Sequence, residues 1–275
     1  MAEITFGSNA VPATEVAAEV INPTPVTSAT PPLAVATVPS GAVATNNWLL
    51  GDKLPSFAEV AIPHINLIAN IGELSKQFEP GSIVFGQELP LFIPPKIVNG
   101  AITRASTPPV IVTALGFWPT RFVEKVEGGG KGMLVKTEAE VAAAGGTLDW
   151  GTWKAKKASG IRLFQELADA MVLIQRPEAC ADDDSVFVYE ANGLKYTIAI
   201  WSMKGTAYTE AAKKKFFKDR RMGCLKSKGY PSFSYALTTR EKPFATGNTT
   251  WIPVLVANKP TTPEVWELAK ELIGS

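Results

Sequence analysis

Between residues 80 and 136 the apolar positions come in short runs broken by Gly and Pro: SIVFG (82–86), LPLFIP (89–94), PVIVTALGFW (109–118) and MLVK (133–136). Brief runs rich in Val, Ile and Phe predict strands rather than helices. The period then changes. Thr137 stands three residues before Glu140, the spacing of a capping box, and Gly145 supplies a stop, so a helix is predicted between them. A second helix is predicted within ASGIRLFQELADA (158–170), followed by a buried strand, MVLIQ (171–175). SVFVYE and LKYTIAIW flank Ala191-Asn192-Gly193, a hairpin signal because Asn-Gly accepts positive φ. SYALTTRE and TTWIPVLVA flank Gly247-Asn248 and predict a second, longer hairpin. Between the hairpins, Thr206 is placed to cap a helix that runs to Met222 and ends at Gly223. Thr262-Pro263-Glu264 opens a last helix with Val265, Leu268, Ala269 and Leu272 as its stripe and Gly274 as its stop.

No strand–helix–strand alternation recurs, which disfavours a doubly wound sheet. The expected fold is β-rich α+β: an OB-like small antiparallel barrel, or a curved sheet, with helical insertions and a C-terminal helix. Residues 1–46 are rich in Pro, Ala and Thr and poor in aromatic mass, and are expected to form a flexible tail. Residues 47–260 form the expected β-rich domain, and 261–275 the C-terminal helix. No Lys or Arg precedes Lys53, and no run of about twenty apolar residues exists. Neither a secretory signal nor a membrane span is expected, and the expected location is the cytoplasm (a host's, if the protein is viral).

Charge changes this picture most. The net charge of +1 conceals a segment, 204–242, that holds eleven bases against Glu210, Asp219 and Glu241. Its centre reads AAKKKFFKDRRMGCLKSKGY, from Ala211 to Tyr230. Lys213, Lys214, Lys215, Lys218, Arg220, Arg221, Lys226 and Lys228 are interleaved with Phe217, Tyr230 and Phe233. Cations beside aromatic rings suit single-stranded nucleic acid, since ammonium groups neutralise phosphates and rings stack on unpaired bases. On a helix of 3.6 residues per turn, Tyr208, Ala212 and Phe216 share the packed side and Phe217 falls roughly opposite, among cations. A second cluster pairs Trp150 and Trp153 with Lys154, Lys156 and Lys157. If that segment is extended, the two indoles point to opposite faces. A third cluster holds Phe117, Trp118, Arg121 and Phe122.

Catalytic signatures do not emerge. Gly130-Lys131 is followed by Gly132, and Lys125 occupies the upstream glycine position, so the phosphate-loop pattern fails twice. Lys131 is left as a single cation in a glycine-rich connection, a candidate phosphate contact. Asp182-Asp183-Asp184 precedes a hairpin with Glu190 and Lys195, but the turn lies between those two, strand alternation is not expected to bring them together as a metal site needs, and the acids read as a solvated loop. Two cysteines, Cys180 and Cys224, make neither a disulfide framework nor a four-ligand metal set, and the sole histidine, His64, reads as structural. No cofactor, metal or catalytic residue is assigned, and the protein is not expected to be an enzyme.

In layout and residue type, across residues 80–260, the chain resembles the single-stranded DNA-binding proteins of bacteriophages: a β-rich body, helical insertions and basic-aromatic segments. The resemblance implies an OB-fold, a role in replication or recombination protecting exposed strands, and contacts with replication or recombination proteins or with further copies of the chain. Many such proteins end in an acidic tail, whereas this one ends WELAKELIGS. Single-stranded DNA, or RNA, is the expected partner, and no membrane is. Two other classes compete: a viral structural or assembly protein, and a metal-dependent nucleic-acid enzyme whose acids meet only in the fold.

Overall fold

The computed structural model describes residues 62–70, 72–126, 132–182, 185–244 and 247–274. The segment 1–46, the start of the following domain, Lys131 with most of its glycine loop, and Asp183-Asp184 lie outside the described residues.

In chain order the strands are β1 (His64–Leu67), β2 (Ile83–Phe85), β3 (Leu89–Phe92), β4 (Lys96–Val98), β5 (Ala101–Arg104), β6 (Val110–Phe117), β7 (Arg121–Glu124), β8 (Leu134–Val135), β9 (Gly146–Thr147), β10 (Arg162–Gln175), β11 (Tyr189–Ala191), β12 (Leu194–Lys204), β13 (Phe233–Pro243) and β14 (Thr249–Pro260). The helices are α1 (Glu138–Ala143), α2 (Trp150–Lys156), a π-helix (Tyr208–Phe217) that runs directly into α3 (Lys218–Met222), and α4 (Pro263–Ile273). One sheet takes up all strands but β4 and β5, in the order β14-β13-β6-β10-β12-β1-β2-β3, with β7, β8, β9 and β11 paired off this path. Within it only β1 with β12 and β9 with β10 run parallel.

The sheet curls into a half-barrel. Elements far apart in its order meet: Thr239 on β13 donates to the Gly81 carbonyl at 2.6 Å, and Asn70 donates to the Thr249 carbonyl at 3.2 Å. Gly81 has a φ of +87°, and a Cβ there would fall inside the ring of Trp251 on β14. That contact requires glycine.

A small buried cluster joins Phe122, Val135, Val141 and Phe164, and strand alternation produces two larger ones. The inner one gathers residues from both ends of the sheet, among them Ile65, Phe92, Val112, Val172, Trp201 and Leu237, and closes over Ala211, Ala212 and Phe216 of the π-helix. The outer one packs Leu115, Met171 and Leu173 against Val265, Ala269 and Ile273 of α4. A bulge in the β6–β10 pairing, where Met171 faces Gly116 and Val172 faces Ala114, leaves Leu115 unpaired. One extra residue reverses the parity of the positions beyond it on β6. Phe117 therefore joins the inner cluster and Trp118 the outer one.

Several expectations match. Thr137 accepts from the Glu140 amide at the start of α1, and Glu140 in turn accepts from the Lys136 amide at 2.8 Å. Asn192 and Gly193 take φ of 51° and 68° between β11 and β12. Thr262 caps α4, and Gly274 ends it in the left-handed region.

Three expectations are corrected. Residues 162–170 are not helical but form the first part of β10, which pairs with β12 on one side and with β6 and β7 on the other. Burial on both faces removes the polar alternation that would have marked the strand. The segment with Trp150 and Trp153 is not extended but helical, because Asp149 caps it by accepting from the Thr152 amide. Glu190 and Lys195 stand directly opposite one another across the β11–β12 hairpin.

Candidate nucleic-acid interface

The basic segment enters the fold as a helix with two unlike sides. Tyr208, Ala211, Ala212 and Phe216 are buried. Phe217 also turns inward: its ring lies 5.1 Å from Phe117 and 6.3 Å from Tyr208, centroid to centroid. This corrects the expectation that Phe217 stands opposite the packed side. A helix bonded from i to i+5 carries more residues per turn than an α-helix, so pairs such as Ala211–Ala212 and Phe216–Phe217 share one face. The same winding gathers Lys213, Lys214 and Lys218 on the outside, and Arg221 of α3 is exposed as well.

Some of the charge is used internally. Glu210 accepts from Lys242 at 2.7 Å and from Lys214 at 3.0 Å. These lysines, the Lys242 hydrogen bond foremost, hold the Glu210 carboxyl below its ordinary range. Lys215 pairs with Asp219 at 3.2 Å and lies 5.5 Å from the centre of the Tyr235 ring. The Tyr235 hydroxyl donates to Asp219 at 2.8 Å, and burial drives its ionisation upward. Arg220 donates to the Lys226 carbonyl at 3.0 Å, clamping the next turn of chain to the helix. Lys213, Lys218, Arg221, Lys226 and Lys228 are exposed and have no ion-pair partner among the described residues.

The second cluster lies at the start of this helix. One turn of α2 brings Trp150 and Trp153 together, with ring centroids 4.7 Å apart and planes at 38°. Trp150 is 53% exposed. Lys125 lies 4.9 Å from the Trp150 ring and Lys157 lies 5.0 Å from the Trp153 ring, while Lys154 and Lys156 are exposed. Trp150, Lys125, Tyr208, Glu210, Lys242 and Phe244 share one open groove of about 1030 Å³. Lys125, Lys242 and Phe244 are additions to the expected site. Lys125 and Phe244 stand outside the basic clusters in sequence and Lys242 at the very end of the basic segment, and each is carried to the groove by pairing or by a hairpin tip.

The third cluster does not join them. Phe117 is inside, Trp118 packs against the outer cluster beneath α4, and the half-buried Arg121 is ion-paired with Asp169. Tyr230 is turned onto Phe117 at 4.8 Å, and Phe233 is half-buried beyond it. Of the two cysteines, Cys180 is buried and Cys224 exposed. Among the described residues no group of three or more His, Cys, Asp or Glu is placed to hold a metal ion, and no helix is long and apolar enough to cross a membrane. No protein-family model, no curated protein and no solved structure matches the chain.

Proposed function

We propose that the protein binds single-stranded nucleic acid, without catalysis, along the outer side of the helix at 206–222 and into the groove beside Trp150. The observation that carries this reading is the segregation on that helix. Its rings are inward, and Lys213, Lys218 and Arg221 face solvent without internal partners among the described residues. An exposed indole beside a lysine supports it at the helix start. Phosphates would follow the cations, and an unpaired base would stack on Trp150. Of the OB-type barrel, the proposal keeps the curled antiparallel sheet as the platform that presents this surface. Protection of exposed strands in replication or recombination, in a cytoplasm, is the role that fits such a surface.

The test is a fluorescence-anisotropy titration with single-stranded and duplex oligonucleotides at two salt concentrations. Engagement of four to six cations gives a slope of log affinity against log salt of about −3 to −4, at about −0.7 per phosphate on a single strand. A flat response, or tighter duplex binding, overturns the reading. The assembly-protein alternative is favoured by one observation: every residue of the β4–β5 hairpin is exposed, with Ile97 at 61% and Ile102 at 69%. A protein that binds no oligonucleotide yet self-associates in sedimentation supports that alternative.

A further inference from the structure

At the far end of the same helical segment a second open pocket, of about 520 Å³, lies between the turn at 223–232 and the first turn of α4. Pockets of ~300–1,000 Å³ are the size that encloses small organic groups. Phe233 and Trp266 provide aromatic walls, and Ser227 and Lys228 provide exposed polar groups. The hydroxyls of Ser232 and Thr261 already donate to backbone carbonyls, at 2.6 and 2.8 Å. The single carboxylate among the lining residues, Glu267, is paired with Lys270 at 2.7 Å. Trp266 makes no ring contact among the described residues and lies off the stripe of Val265, Leu268, Ala269, Leu272 and Ile273 that packs α4. A tryptophan off the packed stripe, facing a cavity beside a lysine, is placed for a ligand with a π-face and a negative charge.

Resting on the nucleic-acid reading, we infer that this pocket is a second base subsite: Phe233 and Trp266 receive one unstacked nucleobase, and Lys228 takes its phosphate. The Arg220–Lys226 hydrogen bond holds this turn against the helix, so a strand leaving Arg221 meets Lys226 and Lys228 next. Seventeen helical residues, ten of them in the wider and shorter π-winding, span at most about 25 Å at the α-helical rise of 1.5 Å each. A stacked strand advancing 3.4 Å per nucleotide covers that length in about seven nucleotides. The binding track thus has an aromatic station at each end, the Trp150 groove and the Trp266 pocket.

Cys224 lines the pocket and is exposed, whereas Cys180 is 2% exposed, so alkylation of Cys224 by N-ethylmaleimide reports on occupancy. The full chain is titrated with (dT)12, following anisotropy and the alkylation rate together. Saturating (dT)12 is expected to slow alkylation about fivefold or more. Trp266→Ala is expected to weaken (dT)12 binding by about 5- to 150-fold with an unchanged salt slope. Lys228→Ala, an exposed position that leaves the fold intact, is expected to flatten the slope by about 0.7. If (dT)12 binds with steep salt dependence but neither the alkylation rate nor either variant's binding changes, the pocket inference fails while the nucleic-acid reading stands. If (dT)12 does not bind at all, the reading fails and takes the inference with it.

Discussion

Lys242 near the end of β13 donates to Glu210 near the start of the π-helix across 2.7 Å, joining elements 32 residues apart. Because the folded Glu210 carboxyl is held below its ordinary range, its stabilising contribution is in place above the unfolded value of about 4.3. It is lost as pH falls through the lower folded value. Glu210→Gln should therefore melt at a lower temperature than the native chain at pH 7, and the gap should close in strong acid. Melting curves at pH 7 and pH 3 that show the same gap would break this link.

Phe217 and Trp150 should behave as opposites. Phe217→Ala removes a ring packed on Phe117 and Tyr208 and should destabilise the fold by about 3 kcal/mol. Trp150→Ala removes an indole that is 53% exposed and should shift stability by about 0.5 kcal/mol or less. It should weaken oligonucleotide binding by about 1–3 kcal/mol. Thermal melts paired with titrations decide the matter, and a Trp150→Ala protein that binds normally would remove the indole from the interface.

Cations on the same helix should separate by what they already hold. Replacing Lys213, Lys218 and Arg221 together with Ala should leave the melting temperature unchanged and reduce the salt slope by about 2. Lys215→Ala, which breaks the pair with Asp219, should lower stability and leave the slope nearly as it was. Equal slopes for the triple variant and the native chain would mean that the strand runs elsewhere.

Gly81→Ala should destabilise through two separable effects. The φ of +87° strains any side chain, and the added methyl would meet the ring of Trp251. Together they should amount to about 2–4 kcal/mol. In the background of Trp251→Ala the steric part disappears and the backbone part remains. Denaturant melts of the four proteins in this cycle test the separation, and full additivity would contradict it.

How far these features are legible in the sequence depends on whether their cause is local. The capping of α1 by Thr137, the turn at Asn192-Gly193 and the stop at Gly274 are set by neighbouring residues, and all three stand where expected. The turn at Asn99-Gly100 between β4 and β5 has the same local cause, with φ of 51° and 78°. Asp149 is a local cap as well, and without it the segment reads as extended, with Trp150 and Trp153 on opposite faces. The first half of β10 reads as a helix because strands on both sides supply its hydrogen bonds, a fact no window of sequence contains. The inward turn of Phe217 is beyond local reading too, since it depends on a wider helix wound against the sheet. Trp266 is signalled only negatively, as the large residue that the apolar stripe of its helix does not need.

The ring of Phe117 lies 5.3 Å from Phe216, 5.1 Å from Phe217 and 4.8 Å from Tyr230. One strand residue, turned inward by a bulge, thus fastens the helix and the turn after it to the sheet. A face held this way is preorganised: its cations keep their spacing before any ligand arrives. The ordering entropy of association then falls on the incoming strand and hardly at all on the protein. Heat-capacity changes on binding would accordingly stay small, without the large negative value that marks folding coupled to recognition.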